Sequence, residues 1–204
     1  RPGGARAGAA DLWRVAARAG MVAAILRWYV RTSLGDFARA TRDLQALVRL
    51  SLPLAAPVLA TESFVGTVVE LLAGERLAPE LVGLEIPVQV LERDAAALTS
   101  RLTMLAAEGV RLDLSGVGSG NLPLEALTAI AWSGWKLDAY LVRAARARPE
   151  VGALASGLIA LAREMKAVSI AEQVDEALDL TWLGLHRCDL AQGAAFRRPV
   201  AADQ

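Results

Sequence analysis

The chain has 204 residues, 54% of them hydrophobic, enough apolar mass for one good-sized core. Its 22 basic and 22 acidic side chains cancel, so the cationic footprint of a nucleic-acid binder is missing and nucleic acid is not an expected partner. A single cysteine, Cys188, and a single histidine, His186, exclude an internal disulfide and a Cys/His zinc cluster, and they suit a reducing cytoplasm.

The chain opens on Arg1 without a signal-peptide pattern, which reads as a piece of a longer polypeptide. In chain order, the first predicted element is a helix over 11–31, with apolar faces around Trp13, Ile25 and Trp28. Two β-like runs follow, LVRLSLPL from Leu47 and LVGLEIPVQV from Leu81. ERDAAALTSRLTMLAAEG then has helical spacing, with acids at its start and Gly109 placed to end it. GVRLDL from Gly109 and GWKLD from Gly134 read as strands. PEVGALASGLIALAREMK reads as a helix opened by Pro149, KAVSIA from Lys166 as a strand, and LGLHRC from Leu183 as a weaker one.

The longest apolar runs, LPLAAPVLA and VGALASGLIALA, fall short of the roughly 18 to 20 residues a bilayer span requires and are expected in the core. Strands and helices alternating every ~25 to 35 residues predict βαβ units and a parallel sheet, as a barrel or a doubly wound fold. No linker divides the chain, so residues 1–204 are expected to form a single domain. The first helix has no strand before it, and its partner strand is expected upstream of Arg1.

Ligand groups in parallel α/β folds gather at the carboxyl ends of strands. Successive predicted strands end near Glu85, Asp113, Lys136 and Glu172. Each alone suits a solvated strand end or a local ion pair; together they outline a ligand-facing rim. The stretch LDLSGVGSG places Gly116, Gly118 and Gly120 in alternation, but Asn121 breaks the GxGxxG spacing and no Walker lysine follows. Two readings stay open for it, a mobile loop supplying backbone N–H groups and a structural glycine turn. The tryptophans at 13, 28, 132, 135 and 182 are expected in the core, and His186, without a nucleophile partner, as a structural residue.

Taken in order, these motifs resemble the EAL domain, the family of bacterial cyclic di-GMP phosphodiesterases and their inactive relatives. LVGLEIPV resembles the family's LEITE strand, LDLSGVGSGNL its DDFGTGYSSL loop and WKLD its LKID. SIAEQVD resembles VIAEGVE, CDLAQGAAFRRPV the closing CDxxQGYxxxRP, and DLWRVAARAGMVAAILRWYV the early FIPLAEETGLI helix. The resemblance implies a TIM-like (β/α) barrel of EAL type whose first strands, with the Glu-Ala-Leu motif, are missing from this chain. Active members hold two divalent metals that activate a water and clamp the attacked phosphodiester. By resemblance, the retained ligand-binding candidates are Glu85, Asp113, Lys136, Glu172 and Gln192.

The departures point away from catalysis. Leu114 stands at the second aspartate of the loop motif and Pro53 at the family's asparagine ligand, and neither side chain offers an oxygen to a hard cation. Val88 replaces the glutamate that steadies the glycine loop, and Asp175 shortens the last glutamate of AEGVE. The resemblance therefore implies a non-catalytic module in cyclic di-GMP signalling, a nucleotide receptor or a regulatory protein-interaction domain. No cofactor is expected. Mg or Mn belongs only to the alternative, a residual metal-dependent phosphodiesterase. The expected partners are cyclic di-GMP, another signalling protein or upstream domain, and a second copy of the chain; no membrane span is expected.

Overall fold

The computed structural model describes residues 9–42, 48–92, 95–122 and 124–196. Six strands form one sheet in chain order: β1 (Leu50–Pro53), β2 (Val82–Pro87), β3 (Arg111–Val117), β4 (Gly134–Leu137), β5 (Val168–Ala171) and β6 (Leu190–Ala191). Every neighbouring pair is parallel. Each of the five connections between them carries helix, which is the wall of a (β/α) barrel. The sheet is a partial barrel with β1 and β6 as its edge strands among the described residues.

Alternation along the strands divides the sheet into two faces. Leu84 and Ile86 of β2, Leu112 and Leu114 of β3, and Trp135 and Leu137 of β4 are all at most 1% exposed and belong to the hydrophobic core. The register Ile86↔Leu114↔Trp135 makes these a continuous apolar row, each such side chain contributing about 1.5–3 kcal/mol by burial. The opposite face carries the row Pro53↔Glu85↔Asp113↔Gly134.

The helices that cover the apolar face are α1 (Ala9–Arg18), α2 (Val22–Thr41), α3 (Ala56–Leu59), α4 (Phe64–Glu75), α5 (Ala95–Ala107), α6 (Leu124–Ala129), α7 (Ala139–Ala144), α8 (Pro149–Glu164) and α9 (Ala177–Leu185). Leu26, Val30 and Leu34 of α2 and Phe64, Val68 and Leu71 of α4 are buried, and Arg27 of α2 holds Glu70 of α4 at 2.9 Å. As the sequence predicts, Gly109 ends α5 in a left-handed conformation, φ +90°, and Pro149 opens α8.

Several sequence expectations need correction. The helix predicted over 11–31 is two helices, because Gly20 adopts φ +66° and closes the first before Val22 starts the second. LGLHRC is no strand. Its first three residues end α9, His186 caps that helix, and the last strand begins only at Leu190. In LVGLEIPVQV the strand stops at Pro87 and Val88–Glu92 turn into a 3-10 helix. Trp28 is 62% exposed, whereas Trp13, Trp132 and Trp135 are buried as expected. The expected strand start at Leu47, the helix acid Asp94 and the RRPV end of the closing motif lie outside the described residues.

Candidate ligand-facing site

The polar row grows out of register. Parallel pairing sets Glu85 beside Asp113, and Lys136, one same-face step further along β4, reaches across β3 to β2 on one side and past the end of β5 on the other. Its Nζ lies 2.6 Å from Glu85 Oε1 and 2.9 Å from Glu172 Oε1, just past the end of β5. Ser51 of β1 donates its hydroxyl to the same Glu85 oxygen at 2.7 Å. Four strands are thereby joined by one ionic chain in which the lysine side chain is only 4% exposed.

Burial alone would push the Lys136 ammonium toward neutrality. The hydrogen bonds and charges of Glu85 and Glu172 outweigh that and hold its pKa above the ordinary lysine value. Asp113 behaves differently. Burial raises its carboxyl, Arg111 pulls it back, and the Glu85 charge raises it again, leaving it above the usual carboxylate range. Its Oδ1 finds no hydrogen-bond partner among the described residues. Two glycines make room for this carboxyl: a Cβ at Gly134 would stand 2.6 Å from Oδ1, and one at Gly83 3.0 Å from Oδ2. The polar face also holds a cleft of about 290 Å³, lined by Arg49, Arg111, Asp113, Lys136 and Gln192.

The glycine stretch begins inside a strand. β3 runs on to Val117, with a bulge between Leu114 and Val117 that accommodates Gly116 at φ +73°. Gly118, at φ +94°, lies so close to Leu141 of α7 that a Cβ would collide with it. Around Gly120 there is open space. Gly116 and Gly118 thus meet a structural demand that Gly120 does not share. Ser119 folds back on Gly116, its hydroxyl donating to the Gly116 carbonyl at 2.7 Å, and Gln89 Nε2 donates to Ser119 Oγ at 2.8 Å.

Of the five ligand candidates, the structure brings Glu85, Lys136 and Glu172 into contact and sets Asp113 beside Glu85 without a bond to it. Gln192 lines the same cleft with an exposed side chain, while its backbone ties β6 to Ala171 and Val174. The departures resolve as well. Leu114 points into the core at 0% exposure, and Val88 is buried at 1%. The carbonyl of Pro53 receives the Tyr29 hydroxyl at 3.5 Å. Asp175 accepts the N–H of Ala194, and Asp138, the aspartate that ends WKLD, caps α7 by accepting the Tyr140 N–H. His186 stacks on Trp182, with ring centroids 3.9 Å apart, and its Nδ1 lies 2.8 Å from the Trp182 carbonyl.

Sequence reasoning passed over Ser51, Gln89 and the glycine pair at 83 and 134. Ser51 stands two residues before Pro53 in β1, so strand alternation could have placed it on the Glu85 face. Gln89 follows Val88 immediately, but only the break of β2 at Pro87 turns it toward the loop.

A family model described as the EAL domain matches residues 1–199. An uncharacterized signaling protein of Caulobacter vibrioides is 28% identical over 194 residues, covering 95% of this chain and 23% of that protein. Cyclic di-GMP phosphodiesterase NbdA of Pseudomonas aeruginosa is 27% identical over 188 residues, covering 89% of this chain and 23% of its own length. The chain thus spans about a quarter of the length of these curated relatives. Among solved structures, the PaMucR phosphodiesterase in complex with c-di-GMP superposes with a TM-score of 0.89 at 24% identity, covering 96% of this chain and 79% of that one. The FimX EAL domain from Pseudomonas aeruginosa bound to c-di-GMP gives 0.84 at 24% identity, covering 100% and 81%. At these identities the structural likeness bears on the fold, a TIM-like α/β architecture.

Proposed function

The chain belongs to the EAL domain family, with a match over residues 1–199, and from that premise we propose a non-hydrolysing module of cyclic di-GMP signalling, acting as a nucleotide receptor or as a regulatory protein-interaction domain. The observation that carries this reading is Leu114. At the position where the family resemblance implies a metal-binding carboxylate, a leucine lies at 0% exposure in the core, in register with Ile86 and Trp135. Its neighbours leave no polar surroundings for a cation there. Pro53 supplies no side-chain oxygen at the second altered position. Of the carboxylates that persist, Glu85 and Glu172 are bound to Lys136 at 2.6 and 2.9 Å, and Asp113 alone keeps a buried oxygen without a hydrogen-bond partner among the described residues. This donor set does not fit a pair of divalent ions, which need several oxygens converging on both.

The family setting supports the cyclic di-GMP link, since NbdA is named as a cyclic di-GMP phosphodiesterase and the FimX EAL domain is described as bound to that nucleotide. Lys136 is already enclosed by two carboxylates, so a nucleotide phosphate gains from it only by loosening one of them. The exposed Gln192 faces the cleft more freely, whereas the arginines at 49 and 111 line it from the amino ends of β1 and β3, away from the carboxyl-end rim. Calorimetric titration of the chain with cyclic di-GMP in chelated buffer separates the two roles. Saturable heat identifies a receptor, and its absence at high nucleotide concentration leaves the interaction domain, for which an upstream domain, another signalling protein or a second copy is the partner.

A further inference from the structure

We propose that Gln89 is a positioning residue that latches the glycine loop to the end of β2 and so fixes the rim of the site. The loop after β3 is held on two sides. On one, Gly118 rests against Leu141 of α7 with no room for a side chain, and Asp138, which begins that helix, donates its N–H to the Val117 carbonyl at 2.9 Å. On the other, Ser119 is the contact point. Its N–H and its hydroxyl both donate to the Gly116 carbonyl, at 3.0 and 2.7 Å, which leaves the oxygen lone pairs to accept the Gln89 amide at 2.8 Å. A hydroxyl that donates and accepts at once fixes its own rotamer, so the pair transmits the position of β2 directly to the loop.

The latch has a consequence for the rim. Gln89 follows the strand that carries Glu85, the loop follows the strand that carries Asp113, and α7 follows the strand that carries Lys136. Holding the loop between Gln89 and Leu141 ties three adjacent strand ends together on the ligand side. Val88, one residue earlier, is buried at 1% and apolar, so the neighbouring position offers no alternative bond. This inference concerns loop geometry and is independent of whether the module binds nucleotide or protein.

Hydrogen exchange of the loop amides at 116–121 in the complete chain tests it. Gln89→Ala and Ser119→Ala should each speed exchange there by roughly 3- to 10-fold, the effect of one neutral hydrogen bond, while amides of β2 and α8 keep their rates. The double variant should be no faster than Ser119→Ala, which also loses the hydroxyl bond to the Gly116 carbonyl, because the Gln89 bond is already gone there. Gln89→Met, which keeps the length and loses the donor, should behave like Gln89→Ala. Protection retained in Gln89→Met would assign the effect to packing and overturn the proposal, as would additive effects or unchanged loop exchange in Gln89→Ala.

Discussion

The centre of the sheet and its β5–β6 margin both carry residues of the family signature, and they use them in opposite ways. At the centre, Glu85, Lys136 and Glu172 are charges that satisfy one another across strands. At the margin, the signature residues hold neighbouring segments of chain together. Asp189 accepts the N–H and the hydroxyl of Ser169 at 2.8 and 2.6 Å, and Gly193 lies so close to the Val174 backbone that a Cβ would collide with it. The margin needs its motif to fold whatever the module binds. The apolar replacements Leu114 and Pro53 fall on the central strand β3 and on the opposite edge strand β1, away from β5 and β6. Retention of the closing motif is therefore evidence of architecture, and the proposal of lost hydrolysis rests on β1 and β3 alone.

The contrast breaks most visibly at Leu114. Leu114→Asp forfeits a fully buried side chain and puts a carboxyl among Ile86, Trp135 and the rest of the core, so it should cost more than about 4 kcal/mol in chemical denaturation; a near-neutral change would show that the side chain can turn toward the polar face. Lys136→Met comes next, leaving Glu85 buried without its cation at a cost of about 3–5 kcal/mol. Adding Glu85→Gln should recover part of that loss, and additivity of the two would dissolve the ionic chain.

At the margin the effects shrink. Asp189→Ala removes two acceptor bonds and should cost about 1.5–3 kcal/mol, measured as a shift in the denaturation midpoint. The pH dependence of the two aspartates has opposite sign. Burial works to raise the Asp189 carboxyl, but the Ser169 hydrogen bonds outweigh it and depress its folded pKa. Its stabilisation is present above the unfolded carboxylate value and disappears as pH falls through the depressed one. Asp113, raised chiefly by burial, adds stability as pH falls from neutral through its raised value, and loses it again on the way back up. Asp113→Asn should flatten the stability profile in that upper window while Asp189→Ala flattens the acid end; profiles unchanged by either would refute these assignments. The smallest effect is expected at Gln173, a non-glycine residue at φ +52° where the family motif has glycine. Gln173→Gly should stabilise by about 0.5–1 kcal/mol, despite losing the Arg143 hydrogen bond, and destabilisation would show that this bond dominates.

The succession of strands and the charged residues at their ends were legible in the sequence because alternation and motif spacing are local signals, whereas the barrel order came from the family resemblance. Glu85 and Asp113 sit where their strands predicted. The break at Gly20 was hidden because apolar spacing continues across it, and only the left-handed backbone reveals two helices. Trp28 reads as core by residue type, yet it lies on the outer side of α2. The Lys136 bridge depends on lateral register between strands, which no single segment encodes, and the Gln89 latch depends on β2 ending at Pro87.

The central claim is the loss of hydrolysis, and release of linear dinucleotide from cyclic di-GMP in excess magnesium or manganese measures it most directly. The unmodified chain and Leu114→Asp should both stay at the rate of buffer alone, since Pro53 still supplies no ligand and metal centres require the whole donor set in place. Metal-dependent turnover by the unmodified chain, abolished by chelator, would contradict the account.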